Sequence, residues 1–543
     1  MLRLAALPET PKQWSRAISL AVLALGGLAV FLHTLYYAWV SEDAYITFRV
    51  VDNAVNGYGL RWNIDERVQA YTNPLWMLLH IPFYAVFGHM FLLTIAISAV
   101  CATLAAWVLI RSAQASPWHI MVLVLMPLYG SRIFFNHAIN GLEEPLSMLL
   151  VAGFWHGMLR SPGRLCPLVL WASLAMCNRL DNAMLLLPGL AWVAWQCWKQ
   201  KTPLPRVFLA AFPLWGWLGF SLLYYGFPFP NTKYAKLNTG ISTQEYLQAG
   251  LYYFENLNVF DSFSCFIVFA ALFAGCLQVV LLYDNRRQHS GLRLPLPAVL
   301  MAAGILLHMV YVVCVGGDFM AGRFFSVTFF QALMQLYVLL APVTGFWLVS
   351  VAALLLWQWQ ARVDYTHPYD SPYCIVDARR AAGNMLSHLT VEPQDDAASN
   401  PSFRVENGRI LAQKGHNTYC PALNSDRVIL TSRIGVWGFF CGPKLHIIDG
   451  LALSDALLAR LPSHQKNWCS GHFYRNIPMG YVHARRTNDT SYMQKDLREY
   501  YEKLRLVTSG DLFDPQRLRA IWGFLTGEYE ELRQRYIEQS YLD

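Results

Sequence analysis

Residues 41–76 read SEDAYITFRVVDNAVNGYGLRWNIDERVQAYTNPLW. They follow an apolar run at 18–40 and lead back into apolar sequence at Pro74-Leu75-Trp76, so the acidic pair Glu42-Asp43 stands at the exit of a membrane helix. Carboxylates at a membrane rim are costly to place, which makes them functional candidates. Behind the pair comes a polar loop punctuated by Gly and Asn, carrying Arg49, Asp52 and Asn73. A carboxylate that takes a proton from an alcohol beside a lipid-borne donor is what membrane glycosyl transfer requires.

The rest of the chain supports a membrane setting. Of 543 residues, 55% are hydrophobic and only 14% charged, which is too apolar for an ordinary soluble domain. Apolar runs recur at 18–40, 90–110, 118–129, 146–159, 167–177, 183–198, 207–225, 263–283, 296–315, 324–340 and 346–359. A crossing takes roughly 20 apolar residues. Several runs are shorter, but the pattern predicts about eleven transmembrane helices in an all-α polytopic domain spanning 1–359. The first run lacks a small-residue cleavage site and is read as a retained helix.

The net charge of +7 is a topology signal, and no nucleic-acid partner is expected. Basic residues mark alternate connections: Arg3, Lys12 and Arg16, then Arg111, Arg160 and Arg164, Lys199, Lys201 and Arg206, and Arg286, Arg287 and Arg293. The positive-inside rule puts these in the cytoplasm. Connections 41–89, 133–144, 178–182, 226–262 and 316–323 then face outward, as does the tail. This requires that 74–87, which contains Pro82, does not cross the membrane.

Past residue 360 charges become frequent, and 360–543 reads as a smaller α+β periplasmic domain. Segment 391–402 reads as a loop. Segments 427–432 and 444–448 read as strands around a Gly-rich turn at 438–442. A helix is expected at 454–461 with Ser454 as N-cap, and amphipathic helices at 494–506 and 515–539. Seven of the 11 Cys lie in or beside apolar runs and read as small buried hydrophobes. Cys374, Cys420, Cys441 and Cys469 fall in the tail, where two disulfides in any of three pairings are allowed.

Each outward connection carries polar groups at a rim: Glu42 and Asp43; Arg132, Asn136, His137, Glu143 and Glu144; Arg179 and Asp181; Lys233 within FPNTKYAKLN; and Asp318 and Arg323 within GGDFMAGR. Both signs of charge on one face suit a site that binds an anion and activates a hydroxyl. Each also has a plainer reading. Glu143-Glu144 before Pro145 fits a helix start, Arg179 and Asp181 fit a structural ion pair, and Gly317-Asp318 fits a turn. Arg61 and Arg67 read as solvated loop charges. No HExxH pattern links the histidines, and no metal site is expected.

The ordered set EDAYITFR, YTNPLW, GLEEPL, NRLD and GGDFMAGRF, with RIGVWGFFCGPKLHIIDGLALSDALLARLP and WCSGHFYRNIPMGY in the tail, resembles the bacterial arabinofuranosyltransferases that use decaprenyl-phosphoryl-arabinofuranose. That family includes the mycobacterial terminal β-arabinofuranosyltransferase and the TfpW-like pilin arabinosyltransferases. The resemblance implies the GT-C glycosyltransferase fold, a bacterial inner-membrane location, and an active site and C-terminal domain on the periplasmic side. Relatives commonly carry Asp-Asp where this chain has Glu-Asp, so the base role rests on Asp43, with Glu42 beside it.

The implied partners are membrane lipids, a polyprenyl-phosphoryl-arabinofuranose donor, and a type IV pilin or cell-surface glycan as acceptor. In the expected mechanism Asp43 takes the acceptor proton, while Arg179, Arg323 or Lys233 holds the donor phosphate. Asn73, Glu143, Asp181 and Asp318 support them, and direct displacement inverts the anomeric centre. No cofactor is required; a divalent metal between Asp43 and the phosphate is compatible with the residues, but no dedicated cage exists for one. A transporter or a non-catalytic envelope assembly factor are the alternative classes. The absence of an inverted repeat and the confinement of the acids to one rim count against the first.

Overall fold

The computed structural model describes residues 11–288, 295–342, 372–381, 404–406, 409–411, 428–432, 434–463 and 468–541. The predicted span at 346–359, the loop at 391–402 and the domain boundary near 360 lie outside them. Within the described residues the first part of the chain is helical. Its helices are α1 (Pro11–Tyr36), α2 (Glu42–Val55), α3 (Pro74–Phe87), α4 (Met90–Arg111), α5 (Pro117–Gly130), α6 (Arg132–Ala138), α7 (Glu144–Arg160), α8 (Leu165–Asn178) and α9 (Asn182–Lys199). They continue as α10 (Leu204–Ala210), α11 (Phe212–Tyr225), α12 (Asn231–Leu237), α13 (Thr243–Phe260), α14 (Ser262–Gln288), α15 (Leu296–Cys314) and α16 (Ser326–Leu340).

Among the described residues, five helical stretches are long and apolar enough to cross a membrane: 17–36, α4, 262–281, α15 and 323–340. The bent pairs α5–α6 and α10–α11 raise the number to seven. Of the other four runs, 346–359 lies outside the described residues, α7 has 17 residues and α8 has 14, short of the roughly 20 that a straight crossing takes, and α9 has 18 with Pro188 inside it. The apolar core of this part runs from Trp76 through Phe154 and Trp155 to Phe329 and Tyr337. α4 packs on α7, α9 on α15, and α14 on α16.

The opening acidic stretch is not all loop. Ser41 Oγ accepts from the backbone N–H of Ala44 and caps α2, placing Glu42 and Asp43 in the first turn, where carboxylates suit the helix dipole. α2 is buried along most of its length. Its start is tied to the segment before α7 by Trp39 N–H to Ile139 O (3.1 Å) and Ser41 N–H to Asn140 O (2.9 Å). Gly141 sits there at φ +82°, and a Cβ on it would lie 2.9 Å from Ala44 Cβ, so only glycine allows the approach.

In the tail, β1 (Arg404–Glu406) pairs antiparallel with β2 (Arg409–Leu411). β3 (Val428–Thr431) pairs with β4 (His446–Asp449) in parallel, in the register Val428–His446 to Thr431–Asp449. The expected Gly-rich turn between β3 and β4 is instead a helix, α17 (Gly435–Phe440). The correction follows from strand direction, because parallel neighbours need a crossover and a tight turn cannot supply one. The helix expected at 454–461 is only a 3₁₀ turn at Leu458–Arg460, and Ser454 Oγ is buried without a hydrogen-bond partner, so it caps nothing. The remaining helices are α18 (Tyr481–Thr487), α19 (Lys495–Ser509), α20 (Pro515–Thr526) and α21 (Glu530–Tyr541). The predicted helix at 515–539 is therefore two, divided at Gly527 with φ +80°.

The tail packs onto the first loop. α17 lies against α2, Arg49 donates to Leu445 O at 2.7 Å and stacks on Trp62, and the Asn63 amide bonds Ile447 N and O at 3.1 Å each. Arg67 is not a solvated charge: it is buried and donates to Gly510 O. Cys374 and Cys469 form a disulfide, Cys441 is also disulfide-bonded, and Cys420 lies outside the described residues.

Candidate active site

A cleft of about 720 Å³, counting its mouth, opens where α2, the 316–323 loop and the tail meet. Its walls include Asp43, Asn73, Glu143, Arg179, Lys236, Asp318, Arg323 and His472. Glu143 and Glu144 stand at the start of α7, Arg179 and Asp181 join α8 to α9, and Asp318 and Arg323 join α15 to α16. Alternate connections of an up-and-down helical domain thus meet at one end, which is why polar residues scattered through the sequence share one site.

Arg323 is the hub. Its Nε lies 2.8 Å from Glu144 Oε1, its Nη2 3.6 Å from Glu143 Oε1, and its Nη1 3.4 Å from both Asp43 Oδ2 and Asp318 Oδ2. Arg179 donates to Glu143 Oε1 and to Asp181 Oδ2, each at 2.6 Å, and Phe324 packs on its guanidinium. Asn73 Nδ2 donates to the other Glu143 oxygen at 2.7 Å, and Thr47 Oγ1 holds Asn73 Oδ1 at 3.1 Å. Asn178 fixes the corner by donating to Glu143 O and Ser147 Oγ.

The carboxylates are not equivalent. Glu143, Asp318, Glu144 and Asp181 expose 0, 3, 4 and 9% of their side chains, whereas Asp43 keeps 23% open to the cleft. Burial pushes the Asp43 carboxyl above its ordinary range against the pull of Arg323 and His472. Burial would also raise Glu143, but Arg179 and Arg323 outweigh it and hold that acid low. Glu144 is pushed up to about 7 by burial and by Glu143 beside it. Asp43 is therefore the carboxylate most open to the cleft, and the others serve the two arginines.

Glu42 faces away from the cleft. Its Oε1 accepts from Gly435 N–H (2.6 Å) and Val436 N–H (3.3 Å) at the start of α17, so it anchors the tail. Burial, with Asp43 next to it, pushes its carboxyl up to about 7. Lys233 is also outside the cleft, stacked on Phe229 with Nζ 3.5 Å from the ring centre. Lys236, on the same helix, reaches the cleft instead, together with Thr232 one turn before it. Burial and the two arginines lower the Lys236 ammonium from its usual value, while Asp318 and Asp43 oppose them.

Sequence reasoning missed Lys236 and His472. The i,i+4 pairing of Thr232 with Lys236 was the available signal for the lysine. His472 lies in the WCSGHFYRNIPMGY segment, whose role was unread. It is held over the 316–323 loop by the Cys374–Cys469 bridge, by Ser470 Oγ to Gly316 O (3.0 Å), and by edge packing on Phe319 at 4.2 Å. Gly471 is at φ +81°, with Asp318 Oδ1 3.5 Å and Lys236 Nζ 3.8 Å from where a Cβ would stand. Among the described residues no three His, Cys, Asp or Glu side chains converge in a metal-holding arrangement.

Fold and site together define a mostly helical, multi-pass membrane protein with an ion-paired cleft at one end of its helices. Sequence comparison makes this more particular. The chain is 27% identical over 374 residues to a terminal β-(1→2)-arabinofuranosyltransferase of Corynebacterium glutamicum, covering 60% of this chain and 52% of that protein. It is 28% identical over 522 residues, 78% of each chain, to the Mycobacterium tuberculosis protein of the same name. It is thus a relative of the terminal arabinofuranosyltransferases, although it spans only about half the length of the corynebacterial one. Neither a family model nor a solved structure matches it.

Proposed function

We propose that this protein moves an arabinofuranosyl residue from a polyprenyl-phosphate donor to a hydroxyl of a glycan or type IV pilin acceptor. In this reading the chain has eleven crossings, with the cleft and the 360–543 domain on the periplasmic side of a bacterial inner membrane. The observation that carries the proposal is Asp43: one partly open carboxylate, with its pKa raised, among four buried ones fixed by arginines. The acceptor oxygen attacks the anomeric carbon as Asp43 takes its proton, and the bond from that carbon to the phosphate oxygen breaks.

The leaving polyprenyl phosphate carries the negative charge away. Arg179 and Arg323 are already engaged by carboxylates, so the phosphate contact falls first to Lys236, which has no carboxylate within salt-bridge distance among the described residues and replaces Lys233 in this role. Buried Glu143 and Asp318 favour the positive charge that develops on the sugar ring. No metal is required in this scheme. The relatives' shared name supports the choice of sugar.

The test supplies membranes containing the chain with labelled synthetic polyprenyl-phosphoryl-arabinofuranose and a hydroxyl acceptor, with and without EDTA. Pentose transfer that survives EDTA is expected, with the product anomer opposite to the donor's. Retention at the anomeric centre requires two displacements and would overturn the assignment of Asp43 as base.

A further inference from the structure

The tail helix α20 presents an apolar stripe that no other part of the described structure covers. Leu518, Trp522 and Leu525, at i, i+4 and i+7, are 42, 66 and 47% exposed, and Phe513 just before the helix is 74% exposed. The opposite face is packed: Arg517, Ala520 and Ile521 are buried. Singly exposed apolar residues are ordinary, but four large ones along one edge mark a contact surface.

What lies beside this stripe identifies the occupant. α20 rests on the tail-side end of α11. Arg517 Nη2 donates to Tyr224 O at 3.0 Å, and a Cβ on Gly226 would meet Val507 and Ile521. Leu222 of α11 joins Val507, Ala520, Ile521 and Phe524 in one apolar cluster. α11 is half of a bent membrane-span candidate, and its Phe212, Phe220 and Leu223 are exposed where lipid would lie. The stripe therefore stands beside the polar end of a membrane-span candidate. Arg519, next to Leu518 in sequence, is exposed. Trp, Phe and Leu on one face with Arg at the edge is the chemistry of a helix lying in the bilayer interface.

We infer that α20 is such an interfacial helix, with Phe513, Leu518, Trp522 and Leu525 inserted among phospholipid headgroups and upper acyl chains, so that the tail is held to the membrane surface beside α11. This rests on the multi-pass reading of the chain and is independent of the proposed sugar transfer.

The test places benzoylphenylalanine at Trp522, and separately at Leu518, in the full chain reconstituted in phosphatidylethanolamine–phosphatidylglycerol nanodiscs. After irradiation, intact-mass analysis is expected to show a one-phospholipid adduct at both positions. An adduct to a second copy of the chain, or no lipid adduct at either position, would overturn the inference. Trp522→Ser at this exposed site is expected to leave melting in detergent unchanged, and a large loss there would show that the stripe packs against protein.

Discussion

Replacing Arg323 with Gln should destabilise the protein by an amount that depends strongly on pH. The guanidinium is 10% exposed and meets four carboxylates. Glu143 keeps Arg179 and Asn73 as partners, so Asp43, Glu144 and Asp318 bear the loss. Stranding a buried charge costs about 3–5 kcal/mol, but an acid can escape by binding a proton. Glu144 titrates near 7 already, so its escape at neutral pH is cheap. Asp43, which burial already raises, must take up about one further proton, and that proton changes the penalty by roughly 1.4 kcal/mol per pH unit.

A loss of about 4 kcal/mol at pH 8.5 thus shrinks to roughly 1 kcal/mol at pH 6.5. The sign is fixed by linkage: an acid whose folded pKa is raised gives stability below its unfolded pKa and loses it as pH rises through the folded value. Apparent Tm from tryptophan fluorescence in detergent, for wild type and variant at both pH values, measures the effect. Equal depression of Tm at the two pH values, or none at either, would refute the reasoning.

Further outcomes follow from the same geometry. Lys236→Ala should lower kcat/KM for the polyprenyl-phosphate donor by about 10–100-fold, the worth of one charge-assisted hydrogen bond, while Lys233→Ala stays within about twofold; the reverse order would return the phosphate role to Lys233. Glu42→Gln keeps an oxygen for Gly435 N–H and should retain transfer activity, while removing part of the stability lost as pH rises from the ordinary glutamate range through about 7. Glu42→Ala should cost about 1–3 kcal/mol by leaving two buried N–H groups unpaired. Cys469→Ser should lower transfer together with stability, because the bridge holds the His472 loop at the cleft.

Much of the site was legible in the sequence, because carboxylates and arginines at the ends of apolar runs have few reasons to be there. Asp43, Asn73, Glu143, Arg179, Asp181, Asp318 and Arg323 all enter one network. What failed was phase. Glu42 and Asp43 are neighbours in sequence but about 100° apart around α2, so one faces the tail and the other the cleft. Lys233 and Lys236 are i,i+3, only about 60° apart, and a seven-residue helix gives periodicity no means of choosing between them. His472 was out of reach because a disulfide and the packing of the tail bring it in, and spacing carries no trace of either. In the fold, composition gave the helical membrane part, while the α17 crossover and the break at Gly527 depended on tertiary pairing and on one glycine.

The most direct measurement is sugar transfer by Asp43→Asn in reconstituted membranes, with donor binding measured alongside. Asn keeps the size and the contact with Arg323 but cannot take a proton. The account predicts a loss of about 10²–10⁴ in kcat with donor affinity retained, and for the wild type an acid limb lying above the ordinary aspartate range. Turnover by the Asn variant at the wild-type rate would contradict it.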